Sequence, residues 1–75
     1  MNDKRRAKAN EAKKLLEKVL SQVEYLIDAE QSALEGIPEN MLQRVERGED
    51  TLSDLEDAKT SVEEAIRQVE SAADR

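Results

Sequence analysis

The feature that most constrains this chain is an apolar repeat that runs nearly end to end and is interrupted once, at Gly36-Ile37-Pro38. Its members recur in alternating steps of three and four residues, which places them along one side of an α-helix. In the first half this seam consists of Ala12, Leu16, Val19, Val23, Leu26, Glu30, Ala33 and Ile37. In the second half it consists of Met41, Val45, Gly48, Leu52, Leu55, Lys59, Val62, Ile66, Val69 and Ala73. The repeat predicts an all-α fold, a single antiparallel helical hairpin over residues 1–75.

The composition removes several ways of stabilising or using a chain of 75 residues. It contains no Cys and no His, which excludes disulfides, thiolate chemistry and the usual zinc sites. Charged residues make up 40% of the chain, a share typical of disorder, but the regular repeat favours long helices instead. Because the start lacks the apolar segment of a secretory signal and no window could span a membrane, we expect a cytoplasmic protein.

Capping signals predict the bounds of the first helix. Asn2 or Asp3 can cap its start, because a short side-chain oxygen accepts an otherwise free backbone N–H. Gly36 suits its end, where a chain often turns into the left-handed conformation that glycine adopts without strain. We therefore expect helix 1 over about 3–35 and a turn over 36–38.

The second helix is predicted over about 39–73, with Pro38 at its first position, where the missing N–H costs nothing. Gly48 is a weak point, because glycine in a helix interior costs about 1 kcal/mol relative to alanine. Thr51 and Ser53 follow it and both read as starts of capping boxes. Two alternatives remain open, a continuous helix and a break near Gly48.

A second apolar row beside each seam predicts self-association. The rows consist of Leu20, Ile27 and Leu34 in helix 1 and of Ala58, Ala65 and Ala72 in helix 2. A seam plus one flanking row is typical of a bundle helix. Since a hairpin offers each seam only one partner, we expect a homodimer, an antiparallel four-helix bundle with two-fold symmetry. The alternative is a monomer whose flanking rows stay half exposed.

Charge is distributed unevenly along the chain. Residues 1–18 carry seven basic and three acidic groups, net +4, and residues 19–75 carry five basic and fifteen acidic groups, net −10. Basic groups at a helix start and acidic groups at a helix end both oppose the helix dipole. A hairpin that lays residue i near residue 75−i relieves this mismatch, because it brings the basic start beside Asp57, Glu63, Glu64 and Glu70. We therefore interpret the basic cluster as paired within the hairpin.

The acids of helix 2 form a regular line, which we call the acidic ridge. It consists of Glu49, Glu56, Glu63 and Glu70, seven residues apart, followed directly in the chain by Asp50, Asp57 and Glu64. One interpretation is a solvated face that keeps the protein in solution. The other is a surface that imitates nucleic acid and occupies the basic groove of a partner.

Three single residues have specific interpretations. Tyr25 is the sole aromatic residue and a candidate anchor for a partner, since binding hot spots favour tyrosine. Glu30 and Lys59 occupy seam positions, where a long stem can reach water or a charge can fix the assembly. With residue 30 opposite about 45 and residue 59 opposite about 16, any pairing between these two would occur between subunits.

Two short motifs carry a family resemblance. Ile37-Pro38-Glu39-Asn40 is followed by Glu46-Arg47-Gly48-Glu49 and then by acidic heptads rich in Ala and Leu. In these motifs, and over most of its length, the chain resembles small acidic helical-hairpin proteins of Gram-positive bacteria and their phages. It departs from them in having fewer apolar residues at the close of helix 2. The resemblance implies a helical hairpin, of prophage origin, without catalytic residues.

These observations lead to three hypotheses about function. No catalytic, cofactor-binding or metal-binding pattern is present, so we expect a non-enzymatic module that associates with itself and binds a protein partner. The alternative is a phage-type inhibitor that uses the acidic ridge to block a nucleic-acid-binding enzyme such as a defence nuclease. A third function, nucleic-acid binding through Arg5, Arg6 and Lys8, is disfavoured by the net charge of −6. We expect no interaction with a membrane.

Overall fold

The computed structural model describes residues 1–75 and contains two α-helices packed against each other as a hairpin. Helix α1 spans Asp3–Glu35, helix α2 spans Leu42–Ala73, and a loop of residues 36–41 joins them. The rod measures 58 × 14 × 11 Å, and its radius of gyration is 17.1 Å. A compact domain of this length would have a radius of gyration of about 11 Å. The all-α hairpin is confirmed, and neither helix is long and apolar enough to cross a membrane.

The two ends of α1 are closed in different ways. The Asn2 side-chain oxygen accepts the Arg5 backbone N–H at 2.9 Å, so Asn2 is the cap. Gly36 has φ −82° and ψ −6°, which is right-handed, so the predicted left-handed turn is wrong. The Gly36 N–H donates to the Ala33 carbonyl at 3.3 Å, a tightened last turn that satisfies this end without a change of hand.

Helix α2 begins later than predicted and runs without a break. Pro38 lies in a turn in which the Met41 N–H donates to the Pro38 carbonyl at 3.0 Å, so it is not the first helical residue. Met41 precedes the helix and supplies no side-chain cap. The Thr51 hydroxyl donates to the Arg47 carbonyl at 2.9 Å, within the helix, instead of capping a new one. Helix α2 is therefore continuous through Gly48.

The face that α1 presents to α2 differs from the predicted seam by one row. Ala12, Val19, Leu26 and Ala33 of that seam are exposed. Their place in the interface is taken by the row predicted for self-association, Leu20, Ile27 and Leu34, of which Ile27 is buried. These three side chains together have four more carbon atoms than Val19, Leu26 and Ala33, and burying them is worth about 3 kcal/mol more.

Helix α2 uses the predicted seam. Of its ten members only Met41 is exposed, Ala73 is buried and the other eight are half-buried. The flanking row is also half-buried, at the edge of the contact with α1, and consists of Ala58, Ala65 and Ala72.

Each residue of α1 lies opposite a residue further along α2 than the 75−i rule predicts. Lys59 Nζ lies 3.8 Å from Glu24 Oε2 of the same chain, so the expectation that Lys59 lies opposite residue 16 is wrong. Glu30 has no basic partner within 4 Å in the hairpin and is half-buried. The six-residue loop accounts for part of this shift. The stagger that lets Leu34 pack on Gly48 accounts for the rest.

The two helices approach closely at Gly48, so a larger residue there would have to displace the Leu34 side chain. A Cβ atom built on it would lie 2.7 Å from Leu34 Cδ1, closer than carbon atoms can pack. The side chain of Leu34 thus occupies the space that any other residue would fill. The contact explains how a helix-weakening glycine is retained within a continuous helix.

The basic start of α1 lies beside the end of α2, as the hairpin requires. Arg6 Nε donates to the Ala73 carbonyl at 2.9 Å, and Lys13 Nζ lies 2.9 Å from Glu70 Oε1. The last turn of α2 contains no basic residue of its own, so α1 supplies the positive charge that its dipole favours. Of the four acids predicted to lie beside the basic start, only Glu70 forms an ion pair with it, through Lys13. Arg6 contacts α2 through a backbone carbonyl, and the shifted register places Asp57, Glu63 and Glu64 beyond the basic start. Lys8 pairs instead with Glu11 of its own helix.

A double-mutant cycle tests the contact between Gly48 and Leu34. In the wild-type background, Gly48→Ala should gain less than the full helix-propensity difference of about 1 kcal/mol, because Leu34 must move. In a Leu34→Ala background the same change should gain at least that amount, because the new methyl group enters the space that Leu34 leaves. Urea denaturation of the four proteins measures the difference. Equal gains in the two backgrounds would show that the helices do not approach closely here.

A titration tests the ion pair between Lys13 and Glu70. Hydrogen bonding to the Glu70 carboxylate, and then its charge, raises the pKa of Lys13 above the ordinary 10.5. A pKa that folding raises contributes stability below the unfolded-state value, and this contribution disappears as pH rises through the folded-state value. NMR titration of the Lys13 side chain should show a lower pKa in Glu70→Gln, and the stability difference between the two proteins should vanish at high pH.

The matched control for this titration is Glu64→Gln, which removes an exposed α2 carboxylate without an ion pair. It should leave the Lys13 pKa unchanged. An equal response to both substitutions would mean that the general charge of α2, not the contact with Glu70, acts on Lys13.

Candidate functional site

Helix α1 carries a second apolar row that the hairpin leaves in water, which we call the apolar stripe. It follows the same three-four spacing as the interface and consists of Ala12, Leu15, Val19, Leu26, Ala29 and Ala33, with Gln22 at its centre. All seven residues are exposed. Leu15 is 64%, Leu26 47% and Val19 42% accessible to solvent. Leu15 and Leu26 alone place two large aliphatic side chains in water on one face of a single helix.

The apolar stripe lies on the side of the hairpin away from the two ion pairs that join α1 to α2. Lys13 and Glu24 of α1, which pair with α2, mark one edge of the interface. Because successive residues turn by about 100°, Val19 and Leu26 project from the opposite edge. Beside that edge lies the row of α2 opposite to the acidic ridge, which is Ala58, Ala65 and Ala72. The exposed leucines of α1 and the small alanines of α2 thus form one apolar face.

Tyr25 borders this face. It is 71% exposed, and its neighbours three and four residues away on the helix surface include Gln22 and Ala29 of the apolar stripe. An aromatic ring at the edge of an apolar face is well placed to anchor a partner, which stays a prediction.

The hairpin encloses little apolar surface of its own. Only Ile27 and Ala73 are buried, and no side chain is fully inaccessible to solvent. Chains of this size that lack disulfides and metals usually need more burial than one helix pair supplies. The apolar stripe is therefore the surface whose burial would most increase the stability of the fold.

The acidic ridge runs along the other edge of α2. Glu49, Asp50, Glu56, Asp57 and Glu64 are exposed and have no basic group within 4 Å. Glu63 is half-buried, and Glu70 is held by Lys13. Unpaired carboxylates in a row repel one another and favour a cationic partner or counterions.

The basic N-terminus is already engaged in part. Arg6 donates to the carbonyls of Met1 and Ala73 and pairs with Asp3, and Lys8 pairs with Glu11. Of the three residues in the nucleic-acid hypothesis, only Arg5 has a side chain without such a contact. The hairpin thus engages two of the three charges that the third hypothesis requires.

No grouping of acidic residues has the geometry to hold a metal ion. The surface depressions are shallow and open, and the one beside the stripe is lined by Glu11, Lys14, Leu15 and Lys18. Basic and acidic side chains therefore stand at the edge of the apolar stripe near its N-terminal end.

Leu15 belongs to neither of the predicted apolar rows of α1, although it is the most exposed large apolar residue of the apolar stripe. The signal is present in its spacing, three residues after Ala12 and four before Val19. Those two residues belonged to the predicted seam, in which Leu16 took the intervening position. A choice between Leu15 and Leu16 needs the position of α2, which the repeat alone does not contain.

No protein-family model matches the chain, and neither the curated proteins nor the solved structures include a significant match to it. The resemblance to small acidic proteins of Gram-positive bacteria and their phages therefore stays a prediction.

Proposed function

We propose that this protein is a non-enzymatic interaction module whose hairpin presents the apolar stripe of α1 to another helical surface. The observation that carries the proposal is the exposure of Leu15, Val19 and Leu26 in one line along α1. A solvent-exposed apolar row of this length, bordered by Tyr25 and charged residues, is typical of a helix that packs in a bundle. We further propose a cytoplasmic location.

Association gives the hairpin the apolar burial that it lacks internally. Burying a fully exposed leucine side chain is worth about 2 kcal/mol, and the large residues of the stripe are about half exposed, so covering each of them contributes about 1 kcal/mol. Their summed contribution exceeds that of a typical surface ion pair. Because α1 is already ordered by α2, docking costs little further backbone entropy. A preformed apolar row therefore binds with most of this free energy available.

A second candidate function is inhibition through the acidic ridge. The observation that favours it is that only Glu70 of the seven ridge residues forms an ion pair within the hairpin. A line of free carboxylates along one helix could enter a groove that normally holds a phosphate backbone. This candidate ranks second because a solvated face has the same pattern.

Photo-crosslinking separates the two candidates. A benzophenone amino acid is placed at Leu26 on the stripe, at Glu56 on the ridge, or at Asn10, which is exposed and lies on neither. We expect covalent adducts in expressing cells from position 26, few from Asn10, and loss of the adducts when Leu15 and Val19 are changed to glutamate. Asn10→Glu is the matched control and should leave the adducts intact.

Adducts formed only from position 56 would instead support the inhibitor, and they should then disappear in a variant with Glu63→Lys. The same low yield at all three positions would contradict both candidate functions.

A further inference from the structure

The apolar stripe has nearly the same order of side-chain sizes in both directions. Read from the N-terminal end, the central residues are Ala12, Leu15, Val19, Gln22, Leu26 and Ala29. In the reverse direction small, large and medium side chains follow in the same order. A two-fold interface brings a surface against its own reverse, so it requires this kind of self-complementarity. A partner of unrelated sequence does not.

The distribution of charge along α1 is also complementary to its own reverse. Residues 1–18 have a net charge of +4, and residues 19–35 contain Glu24, Asp28, Glu30 and Glu35 and no basic residue, net −4. Two antiparallel copies of α1 would place each basic half beside an acidic half. Two parallel copies would place like charges side by side along the whole length, which is unfavourable.

We propose that the surface covering the apolar stripe is a second copy of this chain, whose α1 lies antiparallel along the first. The inference rests on the proposed function and names its partner. In this arrangement Leu15 of one copy packs against Leu26 of the other, Ala12 against Ala29, and Val19 against Gln22. Each of these residue pairs is one layer of the interface. Each layer occurs twice about a two-fold axis between Val19 and Gln22. Gln22, the polar member, stands at the centre, where a single polar side chain fixes register and orientation.

The rest of the hairpin is compatible with this pairing. The ion pairs of Lys13 with Glu70 and of Lys59 with Glu24 lie on the opposite edge and stay intact. Lys14 and Lys18, beside Leu15, come to lie along the half of the second α1 that carries Asp28. The small residues Ala58, Ala65 and Ala72 at the edge of the stripe allow the second hairpin to approach closely. The product is a four-helix bundle in which the two copies of α1 form the central contact.

Engineered cysteines test this arrangement in a chain that contains none of its own. Residue 12 of one copy should lie opposite residue 29 of the other, while residues 12 of both copies would be about 25 Å apart along the axis. A disulfide needs Cα atoms within about 7 Å. An equimolar mixture of Ala12→Cys and Ala29→Cys should therefore oxidise to a mixed dimer, and each variant alone should stay uncrosslinked. Both sites are exposed alanines, so neither change disturbs the hairpin.

Each alternative outcome overturns the inference. Self-crosslinking of each variant without mixed dimers would mean parallel copies. No crosslink in either case would mean that the stripe is not covered by a second copy. If the photo-crosslinking adducts at position 26 then contain another protein, the proposed function stands and only its assigned partner is wrong. A self-adduct at position 26 together with the mixed disulfide supports both.

Discussion

Two long helices joined by one short loop share a single interface, and every apolar residue that does not fit into it stays in water. This constraint governs the molecule, because α1 carries two apolar rows about 100° apart and α2 can cover only one. The row with Leu20, Ile27 and Leu34 is larger and turns inward. Leu15, Val19 and Leu26 are left exposed as a consequence. The fold and the candidate site thus have the same cause, because α2 covers one apolar row of α1 and leaves the other exposed.

The contacts that hold the hairpin also determine what remains outside it. Leu34 fits against Gly48 only if the helices approach closely, and this contact agrees in register with the pairs of Lys13 with Glu70 and Glu24 with Lys59. Those ion pairs are partly exposed and contribute little stability individually. Their main effect is orientation, because they keep one edge of the interface charged. The other edge, where the stripe lies, is left apolar.

The sequence predicts the elements of this fold better than the surfaces between them. The cap at Asn2 and the long repeat are local signals, so the all-α hairpin and the bounds of α1 follow from them. The seam of α2 is also correct, because only one of its rows contains large apolar residues. In α1 either flanking row completes a three-four repeat with Leu16 and Val23. The choice between them depends on the position of α2 and was therefore predicted wrongly.

Other differences have equally local causes. Gly36 and Pro38 mark the loop correctly, but Gly36 stays right-handed and Pro38 begins a turn rather than a helix. Gly48 is compatible with a helix break or with a close contact, and only the position of Leu34 decides between them. The sequence predicts the function of the exposed surface less well than the fold. The only sign of a partner in the residues of one helix is their complementarity to the partner's surface. Here that complementarity, in both size and charge, is to α1 itself.

The most direct test of pairing through the apolar stripe is the absolute mass of the protein in solution, measured by light scattering over a range of protein and salt concentrations. The chain has a mass of 8.5 kDa. We expect a particle of twice that mass, and a return to the monomer when Leu15 and Leu26 are both changed to glutamate. A wild-type protein that stays at 8.5 kDa at every concentration would contradict pairing through the apolar stripe.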